Sequence, residues 1–377
     1  MKARGDGQER PDLAFLLPSL MGGGAERVVM DLAREAARRG HTVDMIVLNR
    51  EGAVLDEVGG GVRLVELKRK RAAVALPALV AYLRRYRPRV LLTTLEHTNV
   101  LAVVAGRLVR SVRVVVREAN TVSEDTKGPK GRAVRELMRL TYRWAHAVIA
   151  VSRGVAASLE GELGLSPGSV TVIANPVVTP RVMDGAREPL DHPWFALGQP
   201  PVVLGVGRLS EQKGFDTLLR AFASVHAATP CRLVILGEGP ERDALGELAR
   251  TLGVEGDFAL PGFVANPFSY MARCGVFVLS SRWEGLPNVL IQAMAVGAKV
   301  VATDCRSGPA EVTEGGALAP LVPVDDEVAL ADAITTTLRG AVQALPEDWA
   351  DRYEVTAITT RYLEVLLGDA RAPGGTQ

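Results

Sequence analysis

Short apolar runs alternate along the chain with longer stretches in which apolar residues return every three or four positions. Leu13–Leu17 is a continuous apolar run between Asp12 and Pro18, as expected of a strand buried on both faces. Residues 25–39 then place Val28, Leu32 and Ala36 on one stripe, with Glu26 in the first turn, Arg38 and Arg39 in the last, and Gly40 beyond. This is the charge order and the stop signal that a helix dipole and C-cap prefer. Val43–Leu48 predicts the next strand, and Val90–Thr94, Val112–Val116 and Ala147–Val151 predict further strand-to-helix steps.

The second half restarts the pattern. Val202–Val206 reads as a strand, residues 207–214 as a glycine-bounded loop, and Leu218, Leu219, Phe222 and Val225 as the apolar stripe of a helix. Leu233–Leu236 and Val276–Leu279 are strands, with a helix at Glu241–Leu252. Strands alternating with helices imply parallel sheets covered on both faces. Between the halves stand Pro176, Pro180, Pro189, Pro193, Pro200 and Pro201, a density that reads as an interdomain connection. The expected fold class is α/β, two Rossmann-like domains facing across a cleft.

Residues 275–305 carry the most informative unit. A strand ends at Ser281, a loop holds Glu284, a helix opens near Pro287–Asn288 and closes at Gly297, and Val300–Ala302 begins another strand. Free amides and the positive dipole end make such a helix start an anion site. A carboxylate beside it suits sugar hydroxyls better than phosphate, so the pair suggests a nucleotide-sugar, with diphosphate on the helix and sugar on Glu284. Arg208 and Lys213 flank the first loop of the second half, at the strand edge where open α/β sheets bind ligands. Two cations there would neutralise a diphosphate leaving group. Gln292, eight residues after Glu284, would meet ribose hydroxyls or cap the core boundary.

Gly22-Gly-Gly24 lies between the first strand and first helix, where glycine allows close backbone approach and positive φ. Phosphate or acceptor contact is expected there. NAD binding is disfavoured, because Asn49 and Arg50 stand where a ribose-binding acid belongs. His97 ends a strand at the ligand edge and is balanced between site and filler, while His146 reads as packed structure. The chain contains no Asp-x-Asp and no His/Cys/carboxylate cluster at metal spacing, so a metal-dependent transfer is not supported.

Charge changes the picture only when the halves are separated. The chain carries a net +1, yet residues 1–180 hold 28 Lys+Arg against 18 Asp+Glu, and the remainder 16 against 25. Arginine dominates the basic half, in Lys68–Arg71, Arg84–Arg89 and Arg132–Arg143. Such a face is either solvated surface or a contact for an anionic membrane or lipid-diphosphate acceptor. Nucleic acid is disfavoured, since no nucleic-acid-binding motif accompanies the charge. At 377 residues with 47% hydrophobic content, two domains are expected. No apolar run approaches the ~18 residues of a membrane span. The polar start, Met1 to Pro11, lacks a signal-peptide core, so a cytoplasmic chain, with possible association to the inner face of the plasma membrane, is expected. Cys231, Cys274 and Cys305 have no CxxC spacing and read as buried free thiols.

Together several stretches resemble the retaining GT-B glycosyltransferases of family 4. They are Gly22-Gly-Gly-Ala-Glu-Arg27, Asn175-Pro176, residues 205–214, residues 236–242, Leu260-Pro-Gly-Phe263, residues 280–288 and residues 302–305. The resemblance implies transfer of a hexose or N-acetylhexosamine from a nucleotide-sugar, UDP before GDP, with retention and without metal or cofactor, the nucleotide-sugar being a co-substrate. The acceptor it implies is lipid-linked or a polysaccharide in cell-surface glycan assembly. It further implies that Arg208 and Lys213 hold the diphosphate with the segment Leu286, Pro287, Asn288 and Val289, through its free N–H groups, and with Gly23 and Gly24. Glu284 would bind the donor sugar, and Phe263 and Val264 would line the base pocket. The implied domains are 1–180 on the acceptor side, 181–350 on the donor side, and 351–377, whose helix Val355–Leu367 crosses back to the first.

Two positions depart from the family pattern. Gln292 replaces a second glutamate, which implies weakened rather than abolished donor affinity. Ala119 stands where a histidine is common, so that His97 or Asn120 would supply the acceptor-side polar contact. These departures keep open a non-catalytic GT-B partner that binds a sugar nucleotide. A sugar-nucleotide epimerase is a third possibility, for which the chain lacks an obvious pair of carboxylates.

Overall fold

Leu13–Leu17 forms β1 and is buried at every position. In the computed structural model, which describes residues 10–21, 23–49, 51, 58–69, 71–126 and 128–368, β1 lies inside a seven-stranded sheet. Its other strands are β2 (Val43–Val47), β3 (Val62–Glu66), β4 (Val90–Thr94), β5 (Arg113–Glu118), β6 (Ala147–Ala150) and β7 (Val170–Val172). The order is β3-β2-β1-β4-β5-β6-β7, and every pairing is parallel. The chain leaves β1 towards β2 on one side and later returns to β4 on the other. The crevice between β1 and β4 is therefore the switch point where such sheets take ligands.

The second sheet repeats the plan with β8 (Val202–Val206), β9 (Arg232–Leu236), β10 (Phe258–Gly262), β11 (Val276–Leu279), β12 (Val300–Thr303) and β13 (Leu321–Val322). Its order is β10-β9-β8-β11-β12-β13, again parallel, with its switch point between β8 and β11. The helix Phe215–Ala228 buries Leu218, Leu219, Phe222 and Val225 against Val203, Leu233, Ile235 and Val276. Burying each such side chain contributes about 1.5–3 kcal/mol. Strands on that core carry the loops that hold the expected site residues Arg208, Lys213 and Glu284.

The chain divides into two compact units, Met1–Pro176 with Val355–Gln377, and Val177–Glu354. The helix Val355–Leu367 belongs to the first. It buries Ile358, Tyr362 and Leu366, and Arg39 reaches Thr360 Oγ1 at 2.8 Å and the Thr356 carbonyl at 2.6 Å.

Three expectations need correction. The proline-rich stretch connects the units only at its start, Pro176–Val177; beyond that the helix Pro180–Arg187 packs within the second unit, where Asn266 Nδ2 donates to the Gly185 carbonyl at 2.8 Å. Pro180 opens that helix after a Thr179 cap, a position where proline's missing N–H costs nothing. The strand expected at Val112–Val116 runs on to Glu118, and both Arg117 and Glu118 are buried. The helix expected at Glu241–Leu252 starts at Arg242, with Glu241 at its cap. His146 is structural as expected: its Nδ1 accepts from the Val114 N–H at 3.1 Å. Burial, then the charge of Arg113, lowers its pKa.

Candidate active site

At the second switch point, β8 runs into Gly207 and Arg208 and then a 3-10 turn, Glu211–Lys213. Gly214 ends the turn at φ 57°, and a Cβ there would stand 2.2 Å from the Ser280 carbonyl oxygen. Only glycine lets this loop lie so close to the end of β11. Ser280 Oγ donates to the Lys213 carbonyl at 2.8 Å, Gln212 Nε2 to the Trp283 carbonyl at 2.9 Å, and the Arg282 N–H to the Gln212 carbonyl at 2.7 Å. The two loops are thus laced together, and two of the expected site residues meet. Lys213 Nζ lies 2.5 Å from Glu284 Oε1, which also accepts from Ser281 Oγ at 2.7 Å. Glu284 is 7% exposed. Thr303 Oγ1 donates to the Ser281 carbonyl at 2.6 Å and steadies that turn from β12.

The helix after Glu284, Asn288–Ala295, has Pro287 at its N-cap, no side-chain cap and no acid in its first turn. Its dipole end is therefore left for an anion. Gly308, at φ 94°, lies under Pro287, where a Cβ would come within 2.6 Å of Cδ. Leu286 and Pro287 are buried, and Asn288, Val289 and Gln292 half-buried. Phe263 follows β10 and is 68% exposed, with Val264 half-buried beside it. Arg208 is exposed, and its side chain has no hydrogen bond or ion pair to any described residue.

Arg282 steadies this constellation. It reaches Asp216 and Asp325, each at 2.8 Å, and the Glu211 carbonyl at 2.8 Å. Burial alone would raise the Asp216 pKa, but the Arg282 guanidinium holds it below its ordinary value. Burial and then Asp216 push Glu241 the other way, upward. Arg282→Met is expected to lower kcat/KM about tenfold, the scale of a small misplacement of positioned groups. The Tm should fall by only about 2–4 °C, because exposed ion pairs contribute little; steady-state kinetics beside calorimetry checks this.

In the first unit, Gly23 and Gly24 follow β1, His97 follows β4, and Asn120 follows β5. Gly22 lies outside the described residues. Gly23 is the N-cap of the helix Gly24–Arg38 at φ −64°, so positive φ is not why glycine stands there. Its N–H donates to Glu26 Oε2 at 3.0 Å. His97 is exposed, with Nε2 3.4 Å from Glu96 Oε1, and Asn120 is half-buried. Leu95, between β4 and His97, adopts φ 72°, ψ 130°, a strained conformation costing on the order of 1–3 kcal/mol. Beneath this edge Arg117 is fully buried among neutral partners, Thr94 Oγ1 at 2.9 Å, Asn175 Oδ1 at 2.6 Å and Tyr362 Oη at 3.2 Å. Glu118 accepts from Asn99 Nδ2 at 2.8 Å and from the Tyr142 hydroxyl.

Residues 22–181 match Glycosyltransferase Family 4, and residues 200–340 match Glycosyl transferases group 1. The N-acetylgalactosamine-N,N'-diacetylbacillosaminyl-diphospho-undecaprenol 4-alpha-N-acetylgalactosaminyltransferase of Campylobacter jejuni is 31% identical over 281 residues. That match covers 73% of this chain and 75% of the relative. The chain belongs to the family 4, group 1 glycosyltransferases. This glycosyltransferase is also 34% identical over 237 residues to the lipopolysaccharide core biosynthesis glycosyltransferase LpsE of Rhizobium meliloti, covering 60% of this chain and 66% of that protein. Its fold is similar to that of Anabaena HepE in complex with UDP and glucose, at TM-score 0.77 and 21% identity over 95% of this chain and 99% of that one. The architecture is GT-B.

Three residues of the candidate site were assigned no role from the sequence. Gln212, Ser281 and Arg282 lie within the stretches 205–214 and 280–288 that carry the resemblance, yet residue type alone gives none of them a role. Their position next to Glu284 and Lys213 was the available signal. Among the described residues no group of His, Cys, Asp and Glu is arranged to hold a metal ion. The three cysteines are free. Cys305, near the site, is pushed up to about 12 by burial and then by Glu284, so it stays a thiol at neutral pH.

Proposed function

We propose that this glycosyltransferase moves a hexose or N-acetylhexosamine from a UDP-sugar to a lipid-linked or polysaccharide acceptor in cell-surface glycan assembly, with retention and without metal or cofactor. The Lys213–Glu284 pair at the second switch point carries the reading. Both hydrogen bonds to that carboxylate fall on Oε1, which leaves Oε2 for a sugar hydroxyl. Lys213, Arg208 and the start of the helix at Asn288 and Val289 would take the diphosphate, Phe263 and Val264 the base, and Gln292 the ribose. As the sugar departs, negative charge gathers on the leaving phosphate, where fixed cations stabilise it most. That phosphate would accept the proton of the attacking hydroxyl on the same face, giving retention. His97 and Asn120 would serve the acceptor side, and the basic first unit would meet an anionic membrane. The Campylobacter and Rhizobium relatives support the acceptor class, and the UDP-bound HepE supports the nucleotide.

Calorimetric titration with UDP and GDP tests the donor half. Micromolar UDP binding is expected, weakened about 10- to 100-fold in Lys213→Ala, the scale of one charge-assisted contact. Undiminished affinity in the variant would remove Lys213 from the diphosphate site. Nucleotide binding with neither transfer nor hydrolysis across an acceptor panel would favour the non-catalytic partner that Gln292 and Ala119 leave open.

A further inference from the structure

The helix Gly128–Thr141 sits on the first unit with only Met138 and Thr141 recorded as buried in it, and a 3-10 turn, Tyr142–Trp144, continues it. Arg135 turns inward, donating to Thr126 Oγ1 at 3.0 Å and lying 3.9 Å from Glu162. The outer face has a different character. Ala133, Leu137, Leu140 and Trp144 are exposed, the last three at 48%, 54% and 47%. Their spacing of four, three and four residues puts them on one stripe. Arg132, Arg139 and Arg143 are exposed along one side of it, with Lys130 on the other and Glu136 the sole acid among the exposed residues of 128–144.

Single exposed leucines are ordinary on a soluble surface, whereas a contiguous apolar stripe marks an interaction face. The flanking charge identifies the partner. Arg132, Arg139 and Arg143 make no ion pair with any described residue, so their charge is available to an anionic surface. A helix presenting leucine and tryptophan on one face and arginine beside them is built to lie in a bilayer interface, apolar side inward and guanidinium groups among lipid phosphates.

We propose that the outer face of Gly128–Trp144 is a membrane-docking surface for anionic lipid, with Leu137, Leu140 and Trp144 inserted and Arg132, Arg139 and Arg143 paired with headgroups. The inference deepens the proposed function, and rests on it for its purpose: docking would hold the enzyme at the surface that presents a lipid-linked acceptor. Its test needs neither donor nor acceptor, so it can fail while transfer to a short soluble acceptor persists.

Co-sedimentation of the full chain with phosphatidylglycerol-containing vesicles, and with phosphatidylcholine vesicles, decides it. Preferential binding to the anionic vesicles is expected, falling with added salt. Arg132→Gln/Arg139→Gln/Arg143→Gln should weaken it by about fivefold per arginine, on the order of 100-fold in all. Leu137→Ser/Leu140→Ser should weaken it at least about tenfold. A blue shift of tryptophan fluorescence on vesicles should be lost in Trp144→Phe. Unchanged UDP affinity and circular dichroism in the arginine variant show that the fold is intact. No vesicle binding, or binding indifferent to both sets of substitutions, overturns the proposal. So does a native dimer that Leu137→Ser/Leu140→Ser converts to a monomer, which would assign the stripe to a second copy of the chain.

Discussion

Glu284→Ala is expected to lower turnover by at least ~100-fold, the scale of losing one contact made in the transition state. UDP affinity should change far less, because the diphosphate is assigned to cations and amides that the substitution leaves in place. The ion pair with Lys213 sharpens this expectation. Removing the carboxylate frees the ammonium 2.5 Å away, which favours an anion rather than repelling one. A scaffolding role predicts the reverse pattern: near-normal turnover in any variant that still folds, with the loss confined to Tm. Removing one partner of a buried pair costs about 3–5 kcal/mol, so Glu284→Gln is the companion variant. It keeps the side chain's shape and a hydrogen bond to Ser281 while deleting the charge. A large fall in kcat for both, at a temperature where both are folded, assigns Glu284 to the reaction; normal turnover in Glu284→Gln removes its charge from it.

Arg117→Ala should destabilise the first unit by about 3–5 kcal/mol through a cavity and unpaired buried acceptors. The guanidinium is the hub of four segments: β5 itself, Thr94 at the end of β4, Asn175 and the helix that carries Tyr362. Amide exchange should quicken in β4, β5 and Val355–Leu367 and stay slow in β8 and β11. A Tm drop of about 6–20 °C for that unit corresponds to this energy. A shift below about 2 °C, or faster exchange in both units alike, would contradict the hub role.

The strands at the sheet centres were legible because both their faces are buried. β1 and β11 therefore read as unbroken apolar runs, and the intervening stripes returned every three or four residues. The edges were not. β3, Val-Arg-Leu-Val-Glu, is half-exposed along its length, β10 contains Pro261, and β13 has two residues. Arg117 and Glu118 fall beyond the expected strand Val112–Val116 because charges at a strand end ordinarily meet water. Here they are buried, satisfied by side chains between 18 and 245 residues away, which no local window contains. The same separation hid the Lys213–Glu284 pair, 71 residues apart. Residue type and strand edge pointed to each group singly, while their meeting depends on the backbone of two loops. The proline-rich stretch misled for a chemical reason: Pro180 and Pro193 each open a helical turn after a capping side chain instead of breaking structure.

The helix Val355–Leu367 closes the first unit, yet the whole of Val177–Glu354 intervenes in the chain. During synthesis at about 5–20 residues per second, that interval lasts roughly 10–35 s. By its end the second unit, one uninterrupted segment, is complete, whereas the first waits throughout with Arg117 lacking Tyr362 and Arg39 lacking Thr360. The half that emerges earlier from the ribosome is thus the half completed later. A nascent chain stalled before residue 355 would present an unfinished, strongly basic partner tethered to a finished one.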